Sequence, residues 1–139
     1  MELNYVVIGV ATVLQFIFGW MWYMPIFGKT WGAMHGYDKL SQEEQEKAQK
    51  GMMPYLVLQF VGTFVTTFVL ALFVSELSSE WHAFGAAGFF WLGFVMPTQA
   101  SAVMFGGTPK EWMCKKFAIM AGGSLACLMI AATVLYFFP

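Results

Sequence analysis

The sequence predicts an all-α membrane protein, an antiparallel bundle of four transmembrane helices, from three observations. Four stretches, Leu3 to Gly28, Gly51 to Ser75, Trp81 to Pro109 and Phe117 to Pro139, contain no Asp, Glu, Lys or Arg. Each exceeds the roughly 18 apolar residues that a helix needs to cross a bilayer. Charged residues make up only 11% of the 139-residue chain and hydrophobic residues 59%, whereas soluble domains carry about 25% charged residues. The basic residues are all lysines and fall in two segments, Lys29, Lys39, Lys47 and Lys50 in one and Lys110, Lys115 and Lys116 in the other. With four crossings these segments share a side, and basic loops stay in the cytoplasm. Both termini are therefore expected outside.

The chain reads as one transmembrane domain over residues 1–139, with spans at about 3–25, 54–75, 82–105 and 117–138. Span one has no basic n-region and ends in Trp20-Met21-Trp22-Tyr23 rather than a small-residue cleavage site. It is therefore expected to be a retained helix and not a signal peptide. Its aromatic end marks a membrane boundary, because indole and phenol rings are apolar while their N–H and O–H groups need polar partners. Trp20, Trp22, Tyr23, Trp31, Tyr55 and Trp112 form the expected inner belt, and Tyr5, Trp81 and Tyr136 the outer one.

Between spans one and two, Ser41-Gln42-Glu43-Glu44 reads as a capping box, with Ser41 as N-cap and Glu44 reaching back to its N–H. A short cytoplasmic helix over about 41–50 should follow, ended by Gly51, with Pro54 opening span two. In span two, helical spacing places Gln59, Gly62 or Thr63, and Thr66 on one face. That face is expected to point into the bundle, where amide and hydroxyl groups find partners.

In span three, Pro97 supplies no N–H, which leaves the carbonyl of Gly93 without its helical partner. Thr98 and Gln99 are the expected substitutes, since an open carbonyl in hydrocarbon is costly. Span four carries small residues at Ala118, Gly122 and Ala126, and again at Gly123, Cys127 and Ala131. Such stripes admit close helix approach, either by span three of the same chain or by span four of a second copy. Cys114 and Cys127 lie about 20 Å apart by helical rise, too far for a disulfide within one chain. Cys127 is expected to serve as a small packing residue.

Spans one and three end alike. Trp20 to Pro25 precedes Phe27-Gly28-Lys29, and Trp91 to Pro97 precedes Phe105-Gly106 and then Lys110. This points to two helical hairpins related by an axis along the membrane normal.

Motifs that carry chemistry are scarce. Gly28-Lys29-Thr30 resembles the tail of a phosphate-binding loop, but Tyr23 stands where the loop requires glycine, and no strand precedes it. His35 and His82 fall on opposite sides, no Cys/His spacing matches a zinc motif, and no cofactor is expected. The span interiors hold no acid, histidine or arginine for a proton relay. A net charge of −1 without arginine excludes a nucleic-acid groove. What remains is neutral. Gln15, Gln59 and Gln99 lie on three spans in the inner half of the bilayer, and with Thr63, Thr66, Pro97 and Thr98 they could line a polar pocket. The alternative is that they hydrogen-bond between helices.

Two segments, Trp22-Tyr23-Met24-Pro25-Ile26-Phe27-Gly28-Lys29-Thr30-Trp31 and Trp91-Leu92-Gly93-Phe94-Val95-Met96-Pro97-Thr98, resemble the domain-of-unknown-function family 1761. The resemblance implies a small bacterial four-helix protein of the cytoplasmic membrane and brings no assigned reaction. Where that family tends to have a charged Phe-Glu-Gly-Arg turn and an Asn and Tyr in span four, this chain has Phe105-Gly106-Gly107, Met120 and Gly123.

Two functions fit these features. The first is a non-enzymatic packing or assembly protein, embedded in the lipid bilayer, that self-associates or serves a larger membrane complex. The second is a small transporter or channel lined by the glutamines and threonines. An enzyme ranks third, because no activated nucleophile or metal motif is present.

Overall fold

In a computed structural model, which describes residues 3–76 and 82–138, every regular element is a helix. Asn4 caps α1 (Tyr5–Met21) by accepting the Val7 N–H. A π turn over Trp22–Ile26 follows, with Pro25 inside it. Next come α2 (Gly28–Met34), a 3-10 turn at Tyr37–Lys39, α3 (Gln42–Gly51) and α4 (Met53–Glu76). Then come α5 (Ala83–Phe90), a second π turn at Trp91–Val95, α6 (Met96–Phe105) and α7 (Lys110–Phe137). Four helical units are long and apolar enough to cross a membrane: Tyr5–Ile26, Met53–Glu76, Ala83–Phe105 and Lys110–Phe137. The last begins at Lys110, seven residues before the apolar run, because nothing in Lys110–Lys116 breaks a helix. Helix α2 was not expected.

The capping box forms: Ser41 N–H donates to Glu44 Oε2 at 2.9 Å and Glu44 N–H donates to Ser41 Oγ at 3.3 Å. The Ser41 backbone N–H, and then its hydroxyl, hold the Glu44 carboxyl below the usual glutamate range. Because the folded value is the lower one, the box contributes to helix stability above the unfolded pKa and loses that contribution as pH falls through the lowered value. The Ser41 amide resonance should therefore stay constant near neutral pH and shift only in acid, as the lowered Glu44 carboxyl takes up its proton. In Glu44→Gln, which keeps the acceptor but cannot titrate, it should not move; a matching shift there would assign it to another group.

Helix α7 is the centre of the packing, with α1 along one side and α5 and α6 along another. On α1 the buried residues Ile8, Ala11, Thr12 and Gln15 recur at helical spacing and form one stripe. The core between α4, α5 and α7 is small and tight. Ala86, Ala87, Ala131 and Ala132 are fully buried beside Leu70, Ala83 and Leu128, so α5 and α7 approach closely without large side chains between them. Ring contacts tie α1 to α4: Tyr5 against Phe68 at 6.3 Å and Phe16 against Phe60 at 5.4 Å.

Pro25 and Pro97 are each accommodated by a widened turn. Phe27 N–H reaches back five residues to the Trp22 carbonyl at 3.0 Å, and Met96 N–H does the same to the Trp91 carbonyl. Side-chain repair near Pro97 takes a different route from the expected one. Thr98 Oγ1 donates to the carbonyl of Phe94, not Gly93, at 2.6 Å, and Gln99 bonds to Ser124. The backbone shift is the physical reason: a π turn re-registers the carbonyls that a proline would strand in a regular helix.

Candidate functional site

The polar side chains that bond between spans gather at three places. The first joins spans one and two. Gln15 is 3% exposed; its Nε2 donates to Thr67 Oγ1 at 2.7 Å and to the Ala11 carbonyl at 3.1 Å. Thr67 Oγ1 in turn donates to the Thr63 carbonyl at 2.8 Å. The Cys127 thiol lies 3.8 Å from the Gln15 carbonyl, which brings span four to the same place.

The second and third places are indole clamps on α7. Trp22 Nε1 donates to the Ile119 carbonyl at 2.9 Å. Trp91 Nε1 donates to the Ala121 carbonyl at 2.9 Å and to Ser124 Oγ at 3.2 Å. Ser124 Oγ also lies 3.1 Å from Gln99 Oε1, so Trp91, Ser124 and Gln99 form one connected set. Ile119 and Ala121 are two residues apart, about 200° around the helix, so the indoles hold α7 from opposite sides. Each indole starts a π turn. The likeness of spans one and three thus has a structural counterpart, although proline follows Trp22 by three residues and Trp91 by six.

Gly122 and Gly123 make the first clamp possible. A Cβ on Gly123 would lie 2.8 Å from Trp22 Nε1, and one on Gly122 would lie 3.4 Å from Trp22 Cζ2. The occupant of this part of the small-residue stripe is therefore span one of the same chain, neither span three nor a second copy. A flat indole needs a flat floor, and two consecutive glycines provide it. Ala118 is exposed and Ala126 half-buried.

The expected polar pocket is not assembled within one chain. Gln15 and Gln99 are used in separate interhelical bonds. Gln59, Gly62 and Thr66 are exposed and Thr63 is half-buried, so the span-two face expected to point inward points outward. Thr67, adjacent to Thr66, takes the inward position because it is the hydroxyl that meets Gln15. Pro97 and Thr98 are exposed as well. A groove of about 210 Å³ between α4, α5, the second π turn and α7 is lined by Val65, Thr66, Val69, Leu70, Phe90, Val95 and Leu128. None of the three glutamines lines it.

Among the expected boundary aromatics, Trp20 is 61% exposed, whereas Trp22 turns inward to its carbonyl. Tyr23 packs on Trp31 at 4.8 Å, Lys115 stands over the Trp112 ring at 5.5 Å, and Trp81 lies outside the described residues. Trp91, Ser124 and Thr67 were missed as site residues. A tryptophan in mid-span, far from any headgroup, needs an internal acceptor for its N–H, and that signal could have found Trp91. Among the described residues no three His, Cys, Asp or Glu side chains gather.

A family model described as "Protein of unknown function (DUF1761)" matches residues 6–136. The chain belongs to the DUF1761 family. The match takes in both π turns and both clamps, so the whole packing unit lies within the family's extent. No match was found among curated proteins or solved structures.

Proposed function

We propose that this DUF1761 protein is a non-enzymatic membrane-assembly component that self-associates through the outward face of span two. In this reading the four spans form an antiparallel bundle in the cytoplasmic membrane, with the lysine-bearing loops inside and both termini outside. Supporting the antiparallel arrangement, contacts retreat along one helix as they advance along its neighbour. Trp22 meets Ile119 while the earlier Gln15 meets Cys127; Trp91 meets Ala121 while the earlier His82 meets Tyr136.

The carrying observation is Gln59. Its amide is exposed and, among the described residues, makes only a long 3.5 Å donation to Thr63 Oγ1 on the same helix. Hydrocarbon offers it nothing better. Thr63 and Thr66 turn their hydroxyls back onto the Gln59 and Gly62 carbonyls at 2.8 Å and 3.0 Å, so the amide holds the spare bonding capacity. Two Gln59 side chains across a two-fold axis supply donor and acceptor to each other, and Gly62, with nothing within 4 Å of a Cβ, lets the helices approach. A subunit of a larger complex would use the same face for a different helix.

Gln59→Leu should weaken the dimer roughly tenfold, the effect of two interhelical hydrogen bonds of about 0.6 kcal/mol or somewhat more each. Energy transfer between labelled copies in detergent reads this directly. A wild-type protein that stays single at every concentration, or an unchanged affinity, would refute the reading. A second reading uses the same exposed groups: Gln59, Thr63, Thr66 and Thr98 would line a path for a small polar solute between copies. Solute flux into liposomes that disappears in Gln59→Leu would favour it over assembly.

A further inference from the structure

We propose that Lys116, held against Trp31 and His35, binds the phosphate of an anionic phospholipid headgroup at the lysine-bearing end of the bundle. His35 Nδ1 lies 2.8 Å from the Trp31 carbonyl. A carbonyl only accepts, so Nδ1 carries the hydrogen, and in the neutral ring Nε2 is the acceptor. Lys116 Nζ lies 3.4 Å from that Nε2 and donates to it. The same ammonium stands 5.9 Å from the centre of the Trp31 ring, within cation–π range. Trp31 is itself fixed between the Tyr23 ring at 4.8 Å and the His35 ring at 4.7 Å.

The ammonium therefore has a fixed seat, and one of its three N–H groups is committed to His35. Lys116 is half-buried, and among the described residues no carboxylate comes within 4.0 Å of it. A half-buried cation without a counter-charge is the incomplete part of this cluster. Lys116 immediately precedes the uncharged run that starts at Phe117, which places it where a bilayer presents its phosphates. A phosphate diester supplies both the missing charge and acceptors for the two remaining N–H groups. This inference rests on the spans crossing a bilayer and not on self-association.

The test is native mass spectrometry of protein released from nanodiscs of equal phosphatidylglycerol and phosphatidylcholine. Wild type should keep phosphatidylglycerol under conditions that strip phosphatidylcholine. Lys116→Gln should lower that retention about fivefold, the effect of one lysine near an anionic surface. Lys116→Arg should restore it, and Lys110→Gln, on the same helix but outside the cluster, should leave it unchanged. Equal losses in the Lys110 and Lys116 variants, or equal retention of the two lipids, would overturn the site. Displacement of the lipid by millimolar inorganic phosphate would also overturn the assignment to a lipid. Removal of wild type from vesicles by alkaline carbonate would instead sink the membrane reading beneath it.

Discussion

A Gly123→Leu variant is expected to lose the native fold, and even Gly123→Ala should lower stability by about 1–3 kcal/mol, the cost of overpacking. A Cβ at Gly123 would sit 2.8 Å from Trp22 Nε1 and 3.0 Å from its Cδ1. The indole has little room to give way. Its N–H is fixed on the Ile119 carbonyl at 2.9 Å, and its ring packs against Phe18 at 5.5 Å and Phe27 at 4.7 Å. The controls are Gly19→Ala and Gly93→Ala, where a Cβ meets nothing within 4 Å. There alanine should be neutral, or stabilising by up to about 1 kcal/mol. Thermal unfolding in detergent compares all of these variants. Trp22→Ala combined with Gly123→Leu should recover part of the loss, with a coupling of about 0.5–3 kcal/mol. A Gly123→Ala protein as stable as wild type would mean that Trp22 is not seated on this glycine.

Charge placement made the spans legible. Four uncharged runs became four helical units, and the capping box at Ser41 formed as read because its partners lie three residues apart. The rotation of each helix about its own axis was not legible. In water, an apolar stripe tells which face is buried; in lipid both faces are apolar, and only a polar group's partner decides. Span two carries polar groups in two directions, Gln59, Thr63 and Thr66 in one and Thr67 in another. Adjacent residues are about 100° apart, so Gln15 bonding to Thr67 rather than Thr66 turns the remainder of that polar set outward. Trp22 was misplaced for a related reason. Its position near the end of a span fits a boundary aromatic, while its N–H found a carbonyl on α7. The π turns escaped as well: a proline in sequence shows that a carbonyl loses its donor, not that the backbone shifts register to serve it.

Trp91→Ala should destabilise the protein by about 3 kcal/mol, at the low end of aromatic-to-alanine costs because the ring is half-buried. Trp91→Phe should cost less, about 0.6 kcal/mol and at most about 1.7, the range for one polar contact between membrane helices. The difference separates ring packing from the hydrogen bond. Trp91 Nε1 has two acceptors on α7, the Ala121 carbonyl at 2.9 Å and Ser124 Oγ at 3.2 Å. In Trp91→Phe the carbonyl still receives its helical N–H, and Ser124 keeps Gln99 at 3.1 Å, so no buried group is orphaned. In Trp91→Ala the ring that packs the π turn against the α5–α7 core is gone, and the widened backbone loses its packing partner. Trp22 holds the other side of α7, so the double variant Trp22→Ala/Trp91→Ala leaves that helix without either clamp and should not be recovered folded. Unfolding in mixed micelles, followed by near-ultraviolet circular dichroism, measures each step. A Trp91→Ala protein within about 1 kcal/mol of wild type would show that the alanine core of α5 and α7 holds span three without the indole.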